Sequence, residues 1–349
     1  MEEINYGFIE EKPRLTDYIA GELSTIGKGQ VRLKDSNWGM YLPDDERQNG
    51  VYFDTFGCVS FSALNTLEIQ LLWLIMNNEI PADEIAWLRG EGYIDANNRP
   101  NFSDRFTAKM SGTGPTGNSC QNVADSVRTH ENRKLNVGIL PEKDWTWDPS
   151  QRTPVFSREE YYAEIPQKLK DKAKKFLDYF DITTEWVPTN DHDKIREAMQ
   201  VAPLQLITYT CSPWNSGKPV AWCGAMKGNH AVTLVNLPIN DKDPIAIYDH
   251  YAPFEKELQR GYTMFYLMRY VLTLRKNSMD EESKVYLAKN DNKLVQNTVT
   301  GELGLIKGGK VLVASPERSG QLAVTYLLRN GAGGGVPAEL WEKFERAEF

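Results

Sequence analysis

Cys58 and His230 are the residues of this 349-residue chain whose type and setting could do nucleophilic chemistry. Cys58 follows Gly57 and opens the apolar run CVSFSALNTLEIQLLWLIMN, which reads as a helix ended by Ile80-Pro81. A thiol at a helix N-terminus meets the positive end of the macrodipole, which lowers its pKa and favours the attacking thiolate. The other reading of Cys58 is a buried core cysteine, a common place for this residue. Of the four histidines, His130 and His192 lie in charged, loop-like surroundings, THENR and NDHDK, while His230 begins the strand-like GNHAVTLVN. An imidazole there serves either proton transfer or a buried hydrogen bond. Asp249 ends the run IAIYD, where a carboxylate can orient the ring through its second nitrogen.

The order Cys58, His230, Asp249 is joined by local wording. Cys58-Val-Ser-Phe-Ser-Ala resembles the Cys-Trp-Ala-Phe-Ser-Ala around the nucleophile of papain-like cysteine peptidases, matching at Cys58, Phe61, Ser62 and Ala63. Gly228-Asn-His-Ala-Val resembles that family's Gly-x-His-Ala-Val, and Ile247-Tyr-Asp-His-Tyr stands where the family has Lys-Asn-Ser-Trp. The resemblance covers about residues 36–275. The segments WGMYLPDDERQ and SDRFTAKMSGTGPTGNS are most similar to divergent phage-encoded members. The resemblance implies attack by Cys58 on an amide carbonyl, with His230 as base and then acid, and Asp249 as the orienting group. It implies no metal and no organic cofactor.

The chain departs from the family in three places. Phe56-Gly57-Cys58-Val59 replaces Cys-Gly-Ser-Cys-Trp, and Tyr52 stands where the oxyanion-hole glutamine is usual. Gln48 is the nearest substitute, either as that donor or as a solvated loop residue. Asp249 replaces the family's Asn, and the gap from Cys58 to His230 exceeds the usual roughly 130–150 residues, implying an insertion. Tyr251 either shields the His230–Asp249 bond, as the family's Trp does, or is a core tyrosine. Gly112-Thr-Gly-Pro-Thr-Gly117 follows no buried strand and holds Pro115, so it reads as a turn-rich loop, one that could line the substrate cleft, and not as a dinucleotide site. Cys211 and Cys223 flank a loop holding Trp214 and Trp222 and read as ordinary thiols before a redox pair. Trp38, Trp145, Trp147 and Trp186 read as core or lid packing.

Several elements must position these groups. Residues 1–50 carry turn formers and charges and read as an extended arm, with 1–35 leading into a domain at 36–280. The Cys58 helix is apolar on several faces, which suits a buried central helix. Residues 78–150 read as irregular, with a short helix near 119–130. Segment 159–180 has Leu169, Ala173, Phe176, Leu177 and Phe180 at helical spacing, opposite a solvated lysine face. Runs at 204, 230 and 244 read as strands of one sheet, followed by a helix before residue 280. Residues 283–349 read as a small β module, with strands at 285–287, 294–296, 303–306 with 311–313, and 324–328, then a helix at 337–347. The fold class expected is α+β: a papain-like two-lobed fold, one lobe helical and one an antiparallel sheet, plus this module.

Bulk properties set the outer limits. Apolar residues make up 41% and charged residues 25%, a soluble globular balance. A formal charge of −8 advertises no nucleic-acid surface. No stretch is long and uninterrupted enough to span a bilayer, and the acidic start Met-Glu-Glu lacks a signal-peptide pattern. Four cysteines without paired spacing suggest free thiols in a reduced compartment, host cytoplasm or a virion. The partners expected are a peptide or protein substrate and, through the C-terminal module, other virion proteins; nucleic acid and membrane are not among them. The function expected is a thiol-dependent peptidase working by a Cys–His–Asp mechanism. Its rivals are an amidase or acyltransferase on the same fold, and a virion structural protein that binds without catalysis.

Overall fold

The computed structural model describes residues 6–11, 13, 31–50, 52–128, 137–146, 157–240 and 242–275, together with three later strands. The chain divides into two compact units, Met1–Arg275 and Lys276–Phe349.

The first unit is α+β. Its helices are α1 (Cys58–Met76), α2 (Ala82–Glu91), α3 (Asp104–Ser111), α4 (Cys120–Val127), α5 (Arg158–Tyr161), α6 (Gln167–Tyr179) and α7 (His192–Met199). Its strands are β1 (Phe180–Val187), β2 (Leu204–Thr208), β3 (His230–Asn236), β4 (Ile245–Tyr248), β5 (Glu255–Leu258) and β6 (Tyr266–Leu274). They form one antiparallel sheet in the order β1-β6-β2-β3-β4-β5. In the second unit, β7 (Lys293–Gln296), β8 (Leu303–Lys307) and β9 (Lys310–Val313) pair antiparallel in that order. The strands expected at 285–287 and 324–328, the helix expected at 337–347, and His130 and Trp147 lie outside the described residues.

Helix α1 is buried on nearly every face, as an apolar sequence without a polar stripe requires. It is long and apolar enough to cross a membrane, but it lies inside the protein core up to its last residue, Met76, which is exposed. Polar groups on α1 stitch it to the sheet. Gln205 on β2 donates its amide to the Val59 carbonyl and to Ser62 Oγ, both at 2.8 Å. Thr233 on β3 donates its hydroxyl to the Ser62 carbonyl. Gln70 reaches β6 where β2 has ended: β2 pairs no further along β6 than Arg269, and Gln70 donates to the Tyr270 carbonyl and accepts from Leu272 N.

The structure corrects several expectations. The short helix expected near 119–130 is α4, capped by the Ser119 side chain, but the stretch read as irregular also holds α2 and α3, the latter capped by Ser103 and ended by Gly112 in the left-handed region. The helical spacing through Phe180 breaks one residue early, and Phe180 opens β1. The helix expected after the strand set is instead β6, held between β1 and β2. Arg269, which interrupts that apolar run, is buried and pairs with Glu185 on β1.

The arm does not simply lead in. Arg32 and Leu33 donate to the Gln200 carbonyl, and Tyr6–Ile9 threads into the core as described below. Trp38 is fully buried and donates its indole N–H to the Met199 carbonyl at 2.6 Å. Residues 1–5 and 14–30 of the arm lie outside the described residues.

Candidate active site

Cys58 is the first residue of α1, behind Gly57, and is fully buried. Cys58 packs in one apolar cluster with Ala231 of β3, whose backbone N–H favours the ionised sulfur. Burial pushes the Cys58 thiol well above its usual range; the Ala231 N–H pulls the other way, and the negative charges of Asp54 and Asp249 add to the rise. Burial here works against the lowering expected of a thiol at a helix terminus. Cys120, also buried, is raised for the same reason.

His230 opens β3 opposite Thr208 and is fully buried. Its Nε2 lies 2.6 Å from Asp249 Oδ1, and its Nδ1 has no hydrogen-bond partner. The carboxylate therefore accepts a hydrogen bond from Nε2–H and leaves Nδ1 as the nitrogen with the free lone pair.

Asp249 follows β4 and is held from all sides. Its Oδ1 also accepts from His250 N at 2.7 Å, while Oδ2 accepts from Trp214 Nε1 at 2.8 Å and pairs with Lys256 Nζ at 2.9 Å. Burial would raise this carboxyl, but His230, Lys256 and His250 together hold it below its ordinary value. Burial lowers the Lys256 ammonium, against the pull of Asp249. Lys256 is also satisfied by the Tyr251 and Pro253 carbonyls. Its partnership was missed in the sequence, although in the alternating strand Glu255-Lys-Glu-Leu it falls on the same buried face as Leu258. His250 is buried against the Phe61 ring, and desolvation pushes its imidazole down to about 3.

Gln48 is buried, not a solvated loop residue. Its Nε2 lies 2.7 Å from Tyr251 Oη, 3.1 Å from Asp54 Oδ1 and 3.1 Å from the Tyr6 carbonyl oxygen. Three acceptors around one nitrogen fix the amide orientation. Asp54, which the sequence did not single out, ties this corner together: it also accepts from the Tyr251 hydroxyl and from Phe56 N. Tyr52 is 54% exposed and stands apart from it. The His230 ring is walled by Tyr6 at 5.3 Å, Tyr251 at 5.5 Å and Trp214 at 6.0 Å between centroids.

Cys211 and Cys223 form a disulfide, not two free thiols. It closes the loop that delivers Trp214 to Asp249, and a bonded pair is at home in oxidising surroundings. Among the described residues no group of His, Cys, Asp and Glu is arranged to hold a metal ion.

The N-terminal segment lies in this same region. Tyr6 N donates to the Asn229 carbonyl, Asn118 N donates to the Gly7 carbonyl, and Ile9 N donates to the Asn118 carbonyl. Phe8 is thereby bridged in parallel to Asn118, beside the turn made by Gly114 and Gly117.

No protein-family model and no curated protein sequence matches the chain. Solved structures do. Xylellain, a cysteine protease from Xylella fastidiosa, aligns at 15% identity over 77% of this chain and 95% of its own, with a TM-score of 0.48. The bromelain protease from Ananas comosus, solved with the E64 inhibitor, aligns at 13% identity over 67% and 97%, TM-score 0.43. The proform of the ragweed pollen cysteine protease Amb a 11 aligns at 16% identity over 67% of this chain, TM-score 0.42; the chain spans 65% of that proform's length.

Proposed function

We propose that the chain is a papain-like cysteine peptidase with Cys58 as nucleophile. The observation that carries this reading is the state of His230: Nε2 bonded to a buried carboxylate at 2.6 Å, Nδ1 unpartnered, and the next residue, Ala231, packed in one cluster with Cys58. A ring fixed this way accepts a proton at Nδ1 and no other atom.

In the proposed cycle, His230 Nδ1 takes the thiol proton as Cys58 Sγ attacks a peptide carbonyl. The carbonyl becomes an oxyanion facing the amide N–H of Gln48, which already donates to one peptide carbonyl, that of Tyr6. Collapse breaks the C–N bond, and the imidazolium returns its proton to the leaving amine. Water, deprotonated by Nδ1, then attacks the thioester and releases the acid. Asp249 supports the imidazolium in both half-reactions, and stays ionised because Lys256 and Trp214 hold its other oxygen. Substrate is an extended peptide, which suits a cleft bounded by main chain at Asn118 and Asn229.

The reading is tested with an epoxide thiol probe and mass-spectrometric mapping, alongside a peptide-library digest. The expected result is a single adduct at Cys58 and loss of cleavage in Cys58→Ser. Probe on Cys120 instead, or unchanged cleavage in Cys58→Ser, would refute it.

A further inference from the structure

The cleft beside Cys58 and His230 is already filled, and the manner of filling is informative. Tyr6-Gly7-Phe8-Ile9 crosses it with a bend at Gly7, bonded through main chain to Asn229 on one side and Asn118 on the other. Where Gly7 passes, both walls are backbone. A Cβ on Gly7 would lie 2.8 Å from the Phe56 Cα and closer still to its carbonyl group. On the opposite side, a Cβ on Gly117 would overlap the Gly7 carbonyl. Gly7 has φ +111° and Gly117 φ +102°, conformations that side chains disfavour. Phe56, two residues ahead of Cys58, has φ +55° and is held by Asp54 Oδ1 accepting from its N–H at 2.8 Å. That wall is therefore fixed and cannot swing aside like a flexible side chain.

The two neighbours of Gly7 are read differently. The Tyr6 ring packs on His230 and, edge-on, on Tyr251. Phe8 is buried in the apolar cluster that also holds Cys58, Ile207 and Ala231, with its ring 6.2 Å from that of Tyr266. Glu10 follows, its carboxylate accepting from the Tyr266 hydroxyl at 2.7 Å.

We propose that this cleft is glycine-selective: it takes peptides with a glycine at the residue passing between Phe56 and Gly117, flanked by aromatic residues, and the chain's own Tyr6-Gly7-Phe8 is one such occupant. The proposal rests on the peptidase reading only for the fate of the peptide, not for its binding.

The test uses the full chain carrying Gly7→Ala. The added methyl overpacks a backbone-walled site, so the segment leaves and alkylation of Cys58 by iodoacetamide rises roughly tenfold or more over wild type. Cys120 labelling stays slow and reports that the fold is intact. In that opened variant, the synthetic peptide Asn-Tyr-Gly-Phe-Ile-Glu protects Cys58, and the same peptide with alanine for glycine protects at least about tenfold more weakly. Should Gly7→Ala also expose Cys120, Tyr6→Ala supplies the opened form for the same competition. Equal protection by the two peptides, or protection by neither, overturns the proposal. Hydrolysis separates the two readings. Selective protection without cleavage defeats the peptidase reading and leaves glycine selection standing. Equal cleavage of both peptides does the reverse.

Discussion

At the scale of single residues, the Asp249 carboxylate is the charge on which its neighbours depend. In Asp249→Asn the amide oxygen can still meet His230 Nε2, but Lys256 loses its counter-ion in a site where its side chain is 2% exposed. Breaking a buried pair from one side costs about 3–5 kcal/mol, so urea denaturation should show a loss of that order. Asp249→Asn combined with Lys256→Met should recover much of it, while Asp249→Ala loses the ring acceptor as well and should be the least active. Acid stability offers a second reading of the same corner. His250 is pushed down to about 3, against an unfolded value near 6.5, so the unfolded chain binds the extra proton between those values. Stability is therefore lost as pH falls through that window, by up to about 1.4 kcal/mol per pH unit from this group. Asp249, held low, adds its own loss only below pH ~4. The buried carboxyls Glu46, Glu68 and Asp104 are raised by burial and act in the opposite sense. The His250 share must then be read as a difference: His250→Gln should flatten the slope between pH 6.5 and 4 relative to wild type.

At the scale of elements, Gln70 shows how a helix finishes a sheet. It satisfies Tyr270 O and Leu272 N on β6 beyond the end of β2. Gln70→Leu would bury both groups unpaired, at about 1–3 kcal/mol each, and a loss of unfolding free energy of that size in urea is expected. The disulfide offers a milder test. Cys211→Ser with Cys223→Ser should lower stability by about 3 kcal/mol, the entropy of a short closed loop, and loosen Trp214 from Asp249. These elements also show what the sequence could and could not disclose. The span of α1 was legible because a largely apolar run of about twenty residues is too long for a strand, and β2, β3 and β4 were legible from short runs between turn residues. Cys58 and His230 stood out because each sits at the start of its element, where the local wording is specific. The β6 run was misread because a strand buried on both faces lacks alternation and looks like a buried helix. The Cys211–Cys223 bond, the Lys256 counter-ion and the part played by Gly7 depend on groups brought together from far along the chain, and no local pattern records them.

At the scale of the whole molecule, the chain separates into a unit ending at Arg275 and one beginning at Lys276. A chain stopped at Arg275 should stay folded, with the unfolding free energy of the first unit in urea unchanged within about 0.5 kcal/mol, the change expected where no core feature is removed. Aggregation of that shortened chain would show that the second unit completes the first. Within the first unit, the site draws on Tyr6, Gln48, Cys58, Asn118, Asn229 and Asp249, which span nearly its full length. Contacts so distant in sequence close late in folding. The segment around Gly7 is made on the ribosome well before Asn229, yet it cannot seat until Asn229 has been synthesised and β3 has paired. Birth order and docking order are thus opposed, and each newly made molecule passes through an interval with its thiol uncovered before the Gly7 segment arrives.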